Sequence, residues 1–188
     1  MSPRAPAFVG VSDHAGRAIF VTVLRSGEAV DRREVPLVGE GLPAMPHHHE
    51  GQKLPIDEAV ALVAKVRASA RAHAKEALET LAGTVDVELE GVALRALPSL
   101  PPTVAERITD YRAMCVADWV MYREVIADAA TQRGWRVTHF EPARALDDAA
   151  AKLGRALDPL FDDARARFGP PWRKEHRMAM AGAIVAST

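Results

Sequence analysis

Hydrophobic and polar positions in the first fifth of the chain form three short runs that are separated by turn-forming residues. An apolar run covers 8–12, a β-branched run covers 17–24, and a third run covers 29–37. The segment between the first two runs reads Asp-His-Ala-Gly, and Ser-Gly-Glu stands between the second and the third. Short runs joined by such turns are typical of hairpins. The pattern predicts three consecutive strands in an antiparallel meander.

Helical and strand spacing alternate over the rest of the chain. Helical spacing predicts helices over 55–81, 103–133 and 172–186, and a helical segment over 143–168 with interruptions at Gly154 and Pro159. Strands are predicted over 85–97 and 135–140. Segment 38–55 has no periodicity and is predicted to be a loop insertion. The order β-β-β-α-β-α-β-α predicts one α/β domain over 1–188, with a mixed five-stranded sheet and helices on both faces.

Composition limits the classes of protein that fit this pattern. The 188 residues carry a formal net charge of −1, so any nucleic-acid surface must be a local patch. The single cysteine, Cys115, excludes an internal disulfide and fits a reducing compartment. No segment is predicted to be a signal peptide or a membrane anchor. We therefore expect a cytoplasmic protein without a membrane partner.

Two segments carry a resemblance to a known family. The hairpin Phe8-Val-Gly-Val-Ser-Asp13-His-Ala-Gly16 and the last helix, with Lys174-Glu175-His176, resemble those of ribonuclease-H-like proteins of the resolvase-like branch. The resemblance implies a ribonuclease-H-like fold and phosphodiester hydrolysis, in which carboxylates hold two divalent cations that activate water. It implies that Asp13 is the central ligand and that Glu175 or His176 is the last-helix contribution.

The chain departs from this family at the end of the fourth strand. The family carries an acid there, whereas this chain reads Arg95-Ala-Leu-Pro, and the nearest acid, Glu90, stands near the beginning of the strand. An arginine at the end of a buried strand needs a partner. Two interpretations of Arg95 stay open. It forms a salt bridge to Asp110 or Asp13, or it binds a phosphate or carboxylate together with Arg112.

The run His47-His48-His49-Glu50 in the loop insertion is the most unusual local feature. Imidazoles and a carboxylate are ligands for zinc, manganese or iron. With Asp13, His14 and the last-helix pair, this run could rebuild a metal site that lacks the fourth-strand acid. The alternative is a solvated loop. Asp13 and Glu175 also have purely structural interpretations. Asp13 is then a turn residue, and Glu175 is a favourable negative charge at a helix N-terminus.

These observations predict a metal-dependent phosphodiester hydrolase that acts on nucleic acid, with magnesium, manganese or zinc as its cofactor. The first alternative is a non-catalytic ribonuclease-H-like module that binds nucleic acid or a protein, and the second is a small-molecule phosphate-binding enzyme. A homodimer through the long apolar helix over 103–133 is a further prediction. The predicted site comprises catalytic Asp13, His14, Glu175 and His176, substrate-binding Arg95 and Arg112, and metal-binding Asp13, His47, His49, Glu50 and Glu175.

Overall fold

The computed structural model describes residues 3–187, and its elements follow the predicted order. The strands are β1 (Pro6–His14), β2 (Arg17–Leu24), β3 (Ala29–Pro36), β4 (Glu88–Arg95) and β5 (Arg136–Phe140). The helices are α1 (Ile56–Thr84), α2 (Val104–Thr109), α3 (Tyr111–Gln132), α4 (Ala145–Leu153), α5 (Asp158–Phe168) and α6 (Lys174–Ala186). Among these residues no helix has both the length and the apolar character needed to cross a bilayer.

The five strands form one mixed sheet in the order β3-β2-β1-β4-β5. Neighbours β1–β2 and β2–β3 are antiparallel, whereas β1–β4 and β4–β5 are parallel. The predicted mixed five-stranded sheet is therefore confirmed. Because parallel strands end at the same edge, Asp13 on β1 and Arg95 on β4 both lie at one edge of the sheet, here called the carboxyl edge.

Successive side chains of β1 face opposite sides of the sheet. Val9 and Val11 join a core cluster under α1 and α3, whereas Phe8 joins a second cluster under α4, α5 and α6. The same alternation places Asp13 on the α3 side, and Ser12 and His14 on the α6 side. The carboxyl edge therefore has two distinct faces around the end of β1.

Helix α3 extends well beyond the carboxyl edge. Arg123, its thirteenth residue, contacts Asp13, so about 18 Å of helix precedes that contact. This part of α3 is packed by α2 and by segment 46–50. The predicted loop insertion thus contains ordered structure, a π-helical turn over Pro46–Glu50 and a 3₁₀ turn over Gly51–Lys53.

The prediction of a single helix over 103–133 is wrong, because the helix is interrupted at Asp110. This residue is extended, with φ −90° and ψ 117°, and its carboxylate accepts a hydrogen bond from the Ala113 amide at 2.7 Å. Asp110 therefore ends α2 and caps α3. Helix α2 is capped in turn by Thr103, with Glu106 three residues later completing a capping box.

The buried stripe of α3 packs inside the chain. Its fully buried side chains include Met121, Tyr122 and Ile126, which belong to the same core cluster as α1. These apolar side chains are buried in the core of the chain itself. A homodimer through this helix stays a prediction.

At Gly10 the main chain of strand β1 lies directly against the main chain of helix α6. A Cβ atom built on Gly10 would collide with the main chain of Ala179. Glycine is required here because no flexible side chain is present that could move aside. This contact sets the depth at which α6 lies on the central strand.

We predict that Gly10→Ala destabilises the protein by about 1–3 kcal/mol or more, because the added methyl forces α6 away from β1. Gly83→Ala is the matched control. Nothing lies within 4 Å of a Cβ at Gly83, and in the last turn of α1 alanine should stabilise by up to about 1 kcal/mol. Urea unfolding of the three proteins measures both effects, and equal stability of Gly10→Ala and wild type would contradict the packing argument.

Candidate functional site

Asp13 ends the central strand as a buried carboxylate that is paired with an arginine. Its side chain is 0% exposed, and Arg123 from α3, 12% exposed, donates from Nε to Asp13 Oδ2 at 2.9 Å. The same guanidinium donates from Nη1 to the carbonyl of Ala96 at 3.1 Å. Arg123 thus joins the end of β1 to the residue that follows β4.

This ion pair decides the electrostatics of the α3 face of the carboxyl edge. A carboxylate removed from water is stable only when an opposite charge and hydrogen bonds replace its hydration. The resemblance noted in the sequence assigns that task to divalent cations. In this chain a guanidinium performs it, and it comes from a residue that the sequence did not mark.

The α6 face of the same edge collects Ser12, His14, Arg95 and Glu175. Arg95 Nη2 donates to Ser12 Oγ at 3.3 Å. Burial, followed by the positive charge of Arg17, lowers the pKa of His14 below its usual value, while Glu175 and Asp13 oppose this shift. His14 is therefore neutral near pH 7, and it lies within electrostatic reach of Glu175.

The predicted salt bridge from Arg95 to Asp13 or Asp110 is wrong. Asp13 faces α3 and is taken by Arg123, and Asp110 is used as the cap of α3. The interpretation of Arg95 as an anion-binding group stays open. Arg112, its predicted companion, is exposed on the first turn of α3, about 16 Å along the helix from Arg123.

The histidine run is held by a second buried acid of α3, Asp118. Asp118 Oδ1 lies 2.8 Å from His47 Nδ1, and the amides of His47 and His48 donate to the carboxylate at 3.0 and 3.1 Å. His47 is 1% exposed and Asp118 is 0% exposed. Asp118 thus caps the π-helical turn from outside, and a proton on Nδ1 leaves Nε2 of His47 as the free ring nitrogen.

Tyr122 joins this loop to the β1–β2 turn. Its hydroxyl donates to the carbonyl of Ala44 at 2.8 Å, and a Cβ at Gly16 would lie 3.0 Å from the Ala44 side chain. Burial, with the nearby negative charge of Asp118, raises the pKa of the Tyr122 phenol, which stays protonated and donates. Asp118, Tyr122 and Arg123 therefore form one polar row along α3, here called the α3 row.

Buried polar atoms without a hydrogen-bond partner concentrate in this region. Within residues 3–187 there are eight such side-chain atoms. Six of the eight belong to the carboxyl edge and the histidine loop: Asp13 Oδ1, His14 Nε2, His47 Nε2, His48 Nδ1, Glu50 Oε2 and Arg95 Nε. Buried polar groups normally have partners, so such a concentration marks a place where a ligand or ordered water completes the structure.

A pair of divalent cations does not fit this arrangement. Among the described residues no three histidine, cysteine, aspartate or glutamate side chains form a group that could hold a metal ion. Arg123 already neutralises Asp13, Asp118 holds His47, and Glu175 lies on the other face of the sheet. His49 is exposed. The predicted ligands Asp13, His47, His49, Glu50 and Glu175 are therefore not brought into one coordination sphere.

His176, predicted to be catalytic, caps the last helix. It is 5% exposed, and its Nδ1 accepts a hydrogen bond from the Arg173 amide at 3.1 Å. Burial, followed by the positive charge of Arg32 on β3, lowers its pKa. Its surroundings are thus the β3 side of α6, whereas its neighbour Glu175 lies within electrostatic reach of His14.

Sequence reasoning missed Asp118 and Arg123, although a signal for both was present. Asp118 stands four residues before Tyr122 and seven before Val125, which places it on the buried stripe of α3. Arg123 stands three residues after Val120 and three before Ile126. A charged residue on an apolar helical stripe requires a buried partner, and both residues have one.

The strand order, the parallel β1–β4 and β4–β5 pairs and the closing helix on β1 define a ribonuclease-H-like fold, as predicted from the sequence. Among solved structures, the chain is similar to T. thermophilus RuvC in complex with Holliday junction substrate, with a TM-score of 0.53 and 13% identity over 95% of this chain and 90% of that one. A second Thermus thermophilus RuvC structure gives 0.47 and 15%, over 95% and 92%. No family model matches the chain, and no curated protein matches it in sequence.

We predict that Arg123→Met lowers the free energy of unfolding by about 3–5 kcal/mol, because Asp13 is left buried without a counter-charge. Adding Asp13→Asn should restore much of this loss, so the two effects are not additive. Arg67→Met is the matched control, since its pair with Glu124 is partly exposed and should be worth less than about 1 kcal/mol. Additive losses in the double variant, measured by urea unfolding, would contradict the buried pair.

We also predict a loss of stability on acidification. The folded-state pKa of His14 and that of His176 are both below the unfolded value of about 6.5. The unfolded chain therefore binds more protons, and the unfolding free energy falls as pH drops from about 7 through 6.5. His176→Gln keeps a capping acceptor but cannot titrate, so its stability should fall less between about pH 7 and pH 5. An identical pH dependence in both proteins would contradict this assignment.

Proposed function

We propose that this chain is a non-catalytic ribonuclease-H-like module that binds nucleic acid at the carboxyl edge of its sheet. The single observation that carries the proposal is the ion pair between Arg123 and Asp13. It gives the central aspartate a protein counter-charge, and it leaves only Oδ1 of that carboxylate without a partner among residues 3–187. The fourth strand ends in Arg95 and supplies no second acid. The edge therefore has the fold of a nuclease but presents arginine instead of paired carboxylates.

Arg95 is the candidate contact for a phosphate. It is half-buried at the end of β4. Among residues 3–187 its buried Nε has no hydrogen-bond partner, and its Nη2 donates to the hydroxyl of Ser12. A guanidinium with a free donor edge suits the paired oxygens of a phosphate. His14 adds a second polar group on the same face. Its buried Nε2 has no partner among residues 3–187, and the positive charge of Arg95 contributes to lowering its pKa.

The nucleic-acid partner is supported by the comparison with the T. thermophilus RuvC structure, which contains a Holliday junction substrate. The similarity extends over 95% of the present chain. The net charge of −1 limits the contact to a local surface, so binding should involve few phosphates and depend moderately on salt. The sequence-based alternatives of a protein-binding module and a small-molecule phosphate enzyme are outcomes that the test below distinguishes.

The test measures binding and cleavage in the same samples. Labelled single strands, duplexes, RNA–DNA hybrids and four-way junctions are incubated with the protein, with Mg²⁺, Mn²⁺ or a chelator. We expect binding that the chelator does not change, and no cleavage. Arg95→Gln should weaken binding by roughly tenfold and reduce the salt slope by about 0.7–0.9, the effect of one phosphate contact. Arg71→Gln is the charge-matched control, because Arg71 is exposed on α1, where it pairs with Asp128 of α3.

Metal-dependent cleavage that disappears in Asp13→Asn would overturn the proposal and restore the hydrolase predicted from the sequence. Absence of binding to every nucleic acid, with a folded protein, would also overturn it and favour a protein or small-molecule partner. Binding that Arg95→Gln and Arg71→Gln weaken equally would remove Arg95 from the contact surface.

A further inference from the structure

A cavity of about 310 Å³ opens beside the first turns of α6. It is lined by Leu146, Trp172, Arg173, Lys174, Arg177 and Met178. The cavity lies at the beginning of α6, the helix that packs on the central strand β1. We infer that this cavity, here called the Trp172 cavity, holds one nucleotide of a single-stranded nucleic acid. The inference rests on the proposed function and specifies which form of nucleic acid the module binds.

The charge of the Trp172 cavity favours an anion. Arg173, Lys174 and Arg177 line it and no acid does, although the chain as a whole carries a net charge of −1. Lys174 and Arg177 are exposed, and neither forms an ion pair within the described part of the chain. The Arg177 guanidinium lies 5.4 Å from the centre of the Phe161 ring, a cation–π contact that holds it in place without neutralising its charge. Uncompensated cations gathered in a concave surface are suited to phosphate oxygens.

The aromatic wall of the cavity, Trp172, is packed against two other rings. The Trp172 ring stacks on Phe168, with centroids 6.2 Å apart and planes inclined by 16°, and the His176 ring lies 5.3 Å away. Trp172 nevertheless remains half-buried, so part of the indole is open to the cavity. Its Nε1–H is buried without a hydrogen-bond partner among residues 3–187. A buried donor of this kind is normally completed by ordered water or by a ligand.

A flat aromatic surface beside several cations is the combination that binds single strands. Unpaired bases stack on aromatic side chains while the backbone phosphates follow basic residues. The volume lies at the lower end of small-ligand sites, which span about 300–1,000 Å³, so the cavity suits one nucleotide. The bases of a duplex are already stacked on each other and cannot use the indole. Single-stranded DNA or RNA, or an unpaired segment of a junction, is therefore the partner that this cavity fits.

The experiment compares wild type with Lys174→Ala/Arg177→Ala, with Trp172→Phe, and with the control Arg71→Ala/Lys75→Ala. The control removes the same charge from exposed positions on α1. Anisotropy of labelled oligo(dT) and of a duplex gives the affinities. We expect the cavity double variant to bind oligo(dT) about tenfold or more weakly, with a salt slope reduced by about 1.4, the effect of two contacts. Its affinity for the duplex should match that of the control.

Tryptophan fluorescence gives a second readout. Oligo(dT) should quench the wild-type signal through stacking on Trp172, and Trp172→Phe should lose this quenching and bind severalfold more weakly. Unchanged oligo(dT) affinity in the cavity variants, with wild type still binding, would overturn the cavity and leave the proposed function intact. Equal losses for single strand and duplex would overturn the single-strand preference. No binding of any nucleic acid by wild type would overturn the proposed function and this inference together.

Discussion

A carboxylate buried at the end of a central strand must be given a positive charge, and the rest of this site follows from how the chain meets that constraint. Asp13 is placed there by the register of β1 between β2 and β4. Water cannot reach it, so the charge has to come from a bound cation or from the protein. In this chain Arg123 supplies it. The same guanidinium also donates to the carbonyl of Ala96, which follows β4. One side chain therefore neutralises Asp13 and links the ends of β1 and β4.

Helix α3 therefore has a second role besides covering the sheet. Its α3 row of Asp118, Tyr122 and Arg123 holds, in turn, the histidine loop, the segment before it and the end of β1. This explains why an aperiodic segment of eighteen residues, 38–55, contains ordered turns. Asp118 satisfies two main-chain amides and one imidazole at the cost of being completely buried. The unpartnered atoms of His47, His48 and Glu50 lie on the loop that Asp118 holds.

The fold could be predicted from the sequence largely because its signals are local. Three short β runs with Gly-containing turns, two helix–strand pairs and a closing helix leave few topologies. The break at Asp110 was missed because the apolar spacing continues across it, and only the cap shows where α3 begins. For the site, the sequence marked Asp13, Arg95 and the histidine run but not how they are paired. Pairing depends on contacts between residues 70 to 110 positions apart, such as His48 with Asp118 and Asp13 with Arg123, and spacing along the chain carries no information about such contacts.

Manganese binding tests the central claim most directly, because Mn²⁺ can be counted by electron paramagnetic resonance without any substrate. The account predicts that wild type and Asp13→Asn bind Mn²⁺ equally and weakly, since Arg123 occupies the carboxylate in the folded protein. A stoichiometric Mn²⁺ site in wild type that is lost in Asp13→Asn would contradict it. That result would show that the arginine yields to a cation and that the carboxyl edge is a metal centre after all.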